Sequence, residues 1–298
     1  MFTICGSGFG LYGYLPALIA LNEDVILPVA YKEKIQHRSE LSSFSESISW
    51  VSSLDDALSE ASSVILASPP HQQISLTERC LSQKNIERVI IEKPMAIAPA
   101  DAINLLARLE SSGKRFEVAY TLLYTSWFES LRWGNNTDDL FQIHWSFMAD
   151  HFINNKKNWK RQHTHGGGVL RFYGIHLLAL LAYLGYEKVC SSSIQGKIIE
   201  EPDKWTAEFS GRNLPLCKVI VDSHNSRQVF SINSTKKNNI VNLSDPFEKE
   251  QTALQHDKRV NSLKRLLQSL YLETATLNTV YKRTNSLWLQ IEEILAGK

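Results

Sequence analysis

Two rhythms of apolar and polar positions alternate along the first third of the chain. Short apolar runs at residues 1–5, 25–30, 64–67, 89–91 and 116–120 have the length and side-chain types of buried strands. Between them the spacing becomes helical: residues 11–21 repeat Leu11, Leu15, Leu18 and Ile19 on one face. Residues 54–61, 74–82 and 101–112 follow the same pattern. Ser53 is placed to cap the first of these, with Asp55 and Asp56 in the first turn facing the positive end of the dipole. Strands that alternate with helices in this way predict an open, doubly wound parallel sheet.

Beyond about residue 120 the pattern changes. A helix is predicted at residues 128–133, a strand at 140–148 and a second helix at 169–184. Strand-type runs then follow at 189–197, 205–209, 217–222, 228–232 and 240–243. The turn signals Gly196, Gly211-Arg212-Asn213 and Asn225-Ser226 separate them, so a mostly antiparallel sheet is expected. Residues 259–295 close the chain with helical periodicity. The expected fold class is α/β, with a parallel-sheet domain over residues 1–120 and an α+β domain over 121–298.

A chain of 298 residues suits two domains of this kind better than one core. Lys plus Arg number 32 against 31 for Asp plus Glu, which leaves no electrostatic footprint for nucleic acid. The four cysteines, Cys5, Cys80, Cys190 and Cys217, have neither metal-ligand spacing nor a disulfide framework, so no metal and a reducing, cytoplasmic setting are expected. The uncharged N-terminal stretch lacks a basic start and is broken by Gly6, Gly8, Gly10, Gly13 and Pro16. It reads as neither a secretory signal nor a membrane span.

Candidate chemistry begins at Gly6-Ser7-Gly8-Phe9-Gly10, which joins the first strand to the first helix. Glycines there allow a tight turn and close backbone approach to a pyrophosphate, and the helix start offers free N–H groups. This is the Rossmann arrangement for a dinucleotide, although the third glycine falls one residue early and Leu11 occupies its usual place. NAD-specific proteins carry an acid at the end of the second strand to hold the ribose. Here the chain reads Ala30-Tyr31-Lys32, so NADP is favoured over NAD. Two further segments, Ser68-Pro69-Pro70-His71 and Glu92-Lys93-Pro94, fall at carboxyl ends of predicted parallel strands, where ligands of such sheets bind. Lys93 there is able to polarise a hydroxyl or carbonyl oxygen. In the second domain, Trp159-Lys160 precedes Gly166-Gly167-Gly168, and the following helix carries Phe172, Tyr173 and His176.

These segments, in this order, resemble the glucose–fructose oxidoreductase/inositol dehydrogenase/rhizopine catabolism family (Gfo/Idh/MocA). The matching pieces are the glycine cluster with Leu15-Pro16-Ala17-Leu18, Ser68-Pro69-Pro70, Glu92-Lys93-Pro94, and Trp159-Lys160 with residues 166–176. The resemblance implies a large open sheet in the second domain, used for homodimer or higher homo-oligomer contacts. It also implies hydride transfer between NAD or NADP and a sugar, nucleotide-sugar or polyol. It implies contact of Lys93 and His176 with the reacting hydroxyl, and places Tyr120, Trp159, Lys160 and Phe172 among the substrate residues. Two positions depart from the pattern: Phe172 and Ala179 stand where members often carry Asp, one before and one after the histidine. Tyr173 is then a candidate to supply a phenol beside His176. An imidazole without a carboxylate is a weaker base. Two alternatives follow from this, a reductase of a tetrapyrrole or imine and a coenzyme-binding regulator or scaffold without turnover.

Overall fold

The structure, a computed structural model, describes residues 1–131, 140–236, 240–250, 256–272 and 275–297. It forms two compact units. The first comprises Met1–Met95, Leu105–Thr125 and Lys249–Thr274; the second comprises Ala96–Asn104, Ser126–Glu248 and Ala275–Lys298.

The first unit alternates strand and helix through β1 (Phe2–Cys5), α1 (Leu15–Ala20), β2 (Val25–Pro28), α2 (Lys32–Gln36), β3 (Ile48–Val51) and α3 (Leu54–Glu60). It continues through β4 (Ser63–Leu66), α4 (Pro70–Ser82), β5 (Arg88–Ile91), α5 (Pro99–Ser111), of which residues 105–111 belong to this unit and 99–104 to the second, and β6 (Arg115–Val118). The six strands lie in the order β3-β2-β1-β4-β5-β6, and every pairing is parallel. This is the doubly wound arrangement, with its switch point beside β1, between the strands that lead to opposite edges. All four residues of β1 are buried, as a central strand covered on both faces requires. Ser53 caps α3 in a reciprocal box: its Oγ accepts from the Asp56 N–H at 3.1 Å, and its own N–H donates to Asp56 Oδ2 at 3.0 Å. The sequence pattern shows five of the six strands. It misses β3 because this edge strand buries only Ile48 and so presents no apolar run.

The second unit contains α6 (Ser126–Ser130), β7 (Leu140–Met148), α7 (Asp150–Ile153), α8 (Ile175–Leu184) and strands β8 (Lys188–Gln195), β9 (Lys204–Ser210), β10 (Leu216–Asp222), β11 (His224–Ser234) and β12 (Val241–Leu243). Their order is β12-β11-β7-β10-β9-β8. Only β7 and β10 run parallel; the other pairings are antiparallel. Trp205, Ala207 and Phe209 of β9 and Cys217, Val219 and Val221 of β10 are buried on one face, the strand period of two. The helix expected at 128–133 is α6, with residues 132 and 133 outside the described residues.

The expected C-terminal helical stretch is two helices serving different units. α9 (Val260–Ser269) belongs to the first unit and α10 (Ala275–Leu295) to the second, where it packs on α8. α9 buries Val260, Leu263, Leu266 and Leu267 in the same core as Leu11, Leu15 and Leu18. The segment 249–274, expected in the second domain, is therefore part of the parallel-sheet unit. Among the described residues no helix is long and apolar enough to cross a membrane.

Candidate functional site

The three glycines after β1 each have a distinct reason to lack a side chain. Gly6 has φ +134°, and a Cβ there would lie 2.4 Å from the Ala67 carbonyl oxygen. A Cβ at Gly8 would meet nothing within 4 Å, which leaves open space over the turn. One at Gly10 would lie 2.5 Å from Cγ2 of Ile4, so this glycine lets the helix start approach β1. These are the tight turn, the ligand approach and the close packing that a dinucleotide site needs. Gly10 thus fills the third role despite its early position. The first turn is π-helical over Gly10–Tyr14, with the Leu15 N–H reaching back to the Gly10 carbonyl. Such turns are rare and often mark functional sites.

The side chains around the turn sort the expected contacts. Tyr31 does reach it: its hydroxyl accepts from the Gly6 N–H at 3.1 Å. Burial raises the Tyr31 pKa, while that bond opposes the rise. Lys32 points elsewhere, with Nζ 5.7 Å from the Trp50 ring centroid. The lysine at the turn is Lys34, whose Nζ donates to Ser7 Oγ at 2.6 Å. Ser7, Glu33, Lys34, His37 and Arg38 line an open cleft of about 510 Å³. Sequence spacing missed Lys34 because a short 3₁₀ turn over Val29–Tyr31 separates β2 from α2 and redirects the chain.

The two proline segments also lie at strand ends. Ser68 Oγ donates to the Cys5 carbonyl at 3.1 Å, tying the end of β4 to the end of β1. Pro69 precedes α4 and Pro70 starts it, a position where the missing N–H costs nothing. His71 in the same turn is exposed. After β5, Glu92 is buried and accepts from Tyr14 Oη at 2.6 Å. Burial raises the Glu92 pKa, partly offset by Lys93, Tyr14 and Arg259. Gln73 of α4 donates to the Glu92 carbonyl at 3.1 Å, which fixes the backbone just before Lys93. Lys93 is buried, and its peptide bond to Pro94 is cis. Tyr120 is also buried, and burial pushes its phenol up.

In the second unit, Trp159-Lys160 and the glycine run meet. The Gly168 N–H donates to the Lys160 carbonyl at 2.8 Å, and a Cβ on Gly167 would lie 2.0 Å from the Trp159 carbonyl oxygen. Trp159 stands edge-on to Phe172 at 5.4 Å, and Lys160 Nζ lies 5.3 Å from the Phe172 ring centroid. Tyr173 packs edge-on against Phe172 at 4.8 Å and Phe147 at 4.7 Å. His176 is buried in the first turn of α8. The helix expected over 169–184 begins with a second π-helical turn, Val169–Gly174. Its wider winding means that α-helical spacing does not decide which aromatic shares the His176 face. A residue that sequence reasoning passed over is Arg171. Its Nε donates to Glu292 Oε1 at 2.7 Å, and its Nη1 to the His163 carbonyl at 2.7 Å.

Residues 1–120 match the profile of an oxidoreductase family with an NAD-binding Rossmann fold, Gfo/Idh/MocA. No curated protein sequence matches the chain. Among solved structures, the WlbA dehydrogenase from Bordetella pertussis, in complex with NADH and UDP-GlcNAcA, is 15% identical, with 99% of this chain and 95% of that one covered at a TM-score of 0.71. UDP-N-acetylglucosamine 3-dehydrogenase GnnA from Acidithiobacillus ferrooxidans is 12% identical, covering 99% and 97% at 0.71. KijD10, a 3-ketoreductase from Actinomadura kijaniata in complex with NADP and TDP-benzene, is 12% identical, covering 98% and 96% at 0.69. At these identities the likeness shows the shared fold.

Proposed function

We propose that this chain, whose first 120 residues match the Gfo/Idh/MocA oxidoreductase profile, transfers hydride between NADP and a sugar, nucleotide-sugar or polyol-like molecule. The observation that carries this reading is the division of labour among Gly6, Gly8 and Gly10 at the switch point of the parallel sheet. It leaves backbone N–H groups at a helix start beneath open space, the arrangement that binds a diphosphate. A bound nicotinamide would supply or accept the hydride.

The preference for NADP rests on the cleft beside Ser7. Lys34, Arg38 and His37 stand there against the single acid Glu33, a set suited to a ribose phosphate. Lys93 is assigned the polarisation of the reacting oxygen and His176 the exchange of its proton. Trp159 and Phe172 offer apolar ring faces to a sugar, and Lys160 a cation to a phosphorylated substrate. The WlbA and KijD10 structures carry UDP-GlcNAcA and TDP-benzene, which supports a panel of nucleotide sugars as first substrates.

The test is nicotinamide absorbance in the wild type, Lys93→Ala and His176→Ala with that panel and both coenzymes. Turnover in the wild type with a loss of at least about a hundredfold in each variant is expected, the size of a general acid–base contribution. Equal turnover in all three proteins would remove both assigned roles. A coenzyme-binding protein without turnover is the second reading, favoured by Phe172 in place of a carboxylate. Coenzyme binding with no oxidoreduction across the panel would select it.

A further inference from the structure

The C-terminal segment that returns to the first unit brings a cation to the glycine turn. Arg259 precedes α9, and its guanidinium carbon lies 3.9 Å from the Phe9 ring centroid. Asp257 holds it bidentately: Nε donates to Oδ1 and Nη2 to Oδ2, both at 2.8 Å. Asp257 Oδ1 also accepts from the Arg259 backbone N–H at 2.9 Å, so the pair is built as one rigid piece. The Arg259 side chain retains 29% exposure and that of Asp257 15%. Burial alone would lower the Arg259 pKa, but Asp257 more than reverses this, so the guanidinium stays charged.

Phe9 also meets Tyr12 edge-on at 5.3 Å and Tyr14 at 5.5 Å. A Cβ on Gly13 would lie 2.3 Å from Phe9 Cε2, so Gly13 makes the room for the ring to fold back on its own helix. Tyr14 continues the chain of contacts to Glu92, next to Lys93. Nothing in the glycine motif itself requires this ring to be clamped. Its backbone N–H, however, is one of those at the helix start that a coenzyme phosphate would meet.

We propose that Arg259 is a positioning residue for coenzyme binding: held by Asp257, it clamps Phe9 and so fixes the amide geometry of the turn from residue 6 to residue 14. This rests on the reading that the turn binds a dinucleotide. The cation–π contact sets the size of the effect, about tenfold in affinity.

The experiment uses the full chain and two readouts, NADPH fluorescence titration and hydrogen exchange of the turn without coenzyme. Asp257→Asn/Arg259→Met removes both charges together, so neither is stranded. Phe9→Leu removes the ring while keeping an apolar side chain. Both variants are expected to weaken NADPH binding about tenfold and to speed exchange over residues 6–14 by a similar factor. Arg259→Lys, which keeps a cation over the ring, is expected to recover part of both. Affinity and exchange within about twofold of wild type in Phe9→Leu would overturn the proposal, even if the double variant fails to fold. If the wild type itself binds no coenzyme, the functional reading fails. The exchange rates then still decide whether Arg259 braces the turn.

Discussion

A methyl group added at Gly6 would lie 2.4 Å from the Ala67 carbonyl oxygen, whereas one at Gly8 meets nothing within 4 Å. Gly6→Ala is therefore expected to cost about 2 kcal/mol or more through its positive φ and the clash, read as a lowered melting temperature. Gly8→Val is expected to fold with near wild-type stability. At the ribose end the coenzyme preference turns on which cation faces the cleft. Lys34→Ala and Arg38→Ala are each expected to lower the ratio of NADP to NAD affinity at least about tenfold, a charge-assisted hydrogen bond's worth. Lys32→Ala should leave the ratio unchanged. Titrating each variant with both coenzymes checks this. The order of the motifs along the chain was enough to point to the turn and to Tyr31. It names Lys32 and passes over Lys34, because which lysine reaches the turn depends on a 3₁₀ turn whose three residues carry no periodic signal.

Both glycine-led segments open on π-helical turns, Gly10–Tyr14 and Val169–Gly174. Their apolar positions read as ordinary helix starts, since a run of five or six residues is too short to tell one winding from the other. The second turn is anchored through Arg171 to α10. Glu292 of that helix accepts from Arg171 and Trp288, and His163 Nε2 lies 3.4 Å from its other oxygen. Burial pushes the Glu292 pKa up, but the bonds from His163 and Arg171 outweigh it and hold it at about 2, below the ordinary 4.5. The folded form thus prefers the carboxylate, and the stability this adds is present above about pH 4.5 and lost as pH falls toward 2. Glu292→Gln is expected to cost on the order of 3 kcal/mol at neutral pH and much less near pH 2. Denaturant melts of both proteins across that range would show the two curves converging in acid. Parallel curves would mean that Glu292 does not hold this turn.

The chain crosses between its two units more often than a single boundary near residue 120 allows, and α9 is the clearest case. Its apolar spacing at Val260, Leu263, Leu266 and Leu267 is plain in the sequence, but an amphipathic stripe does not name the core it will join. The parallel-sheet unit takes it, and Arg265 adds a bond to the Tyr124 carbonyl and a pair with the buried Glu250. Burying four such side chains is worth roughly 6–12 kcal/mol, comparable to the whole stability of a domain. A fragment ending at residue 120 is therefore expected to fail to fold cooperatively by circular dichroism and melting, although it spans the whole family match. The proposed hydride transfer requires this unit to hold a dinucleotide on its glycine turn. Titration of the full-length wild type and Gly8→Val with NADPH, followed by fluorescence, tests it most directly. Saturable binding to one site in the wild type, weakened at least about tenfold in an equally stable Gly8→Val, is predicted. No saturable binding of either NADPH or NADH to the wild type would contradict it.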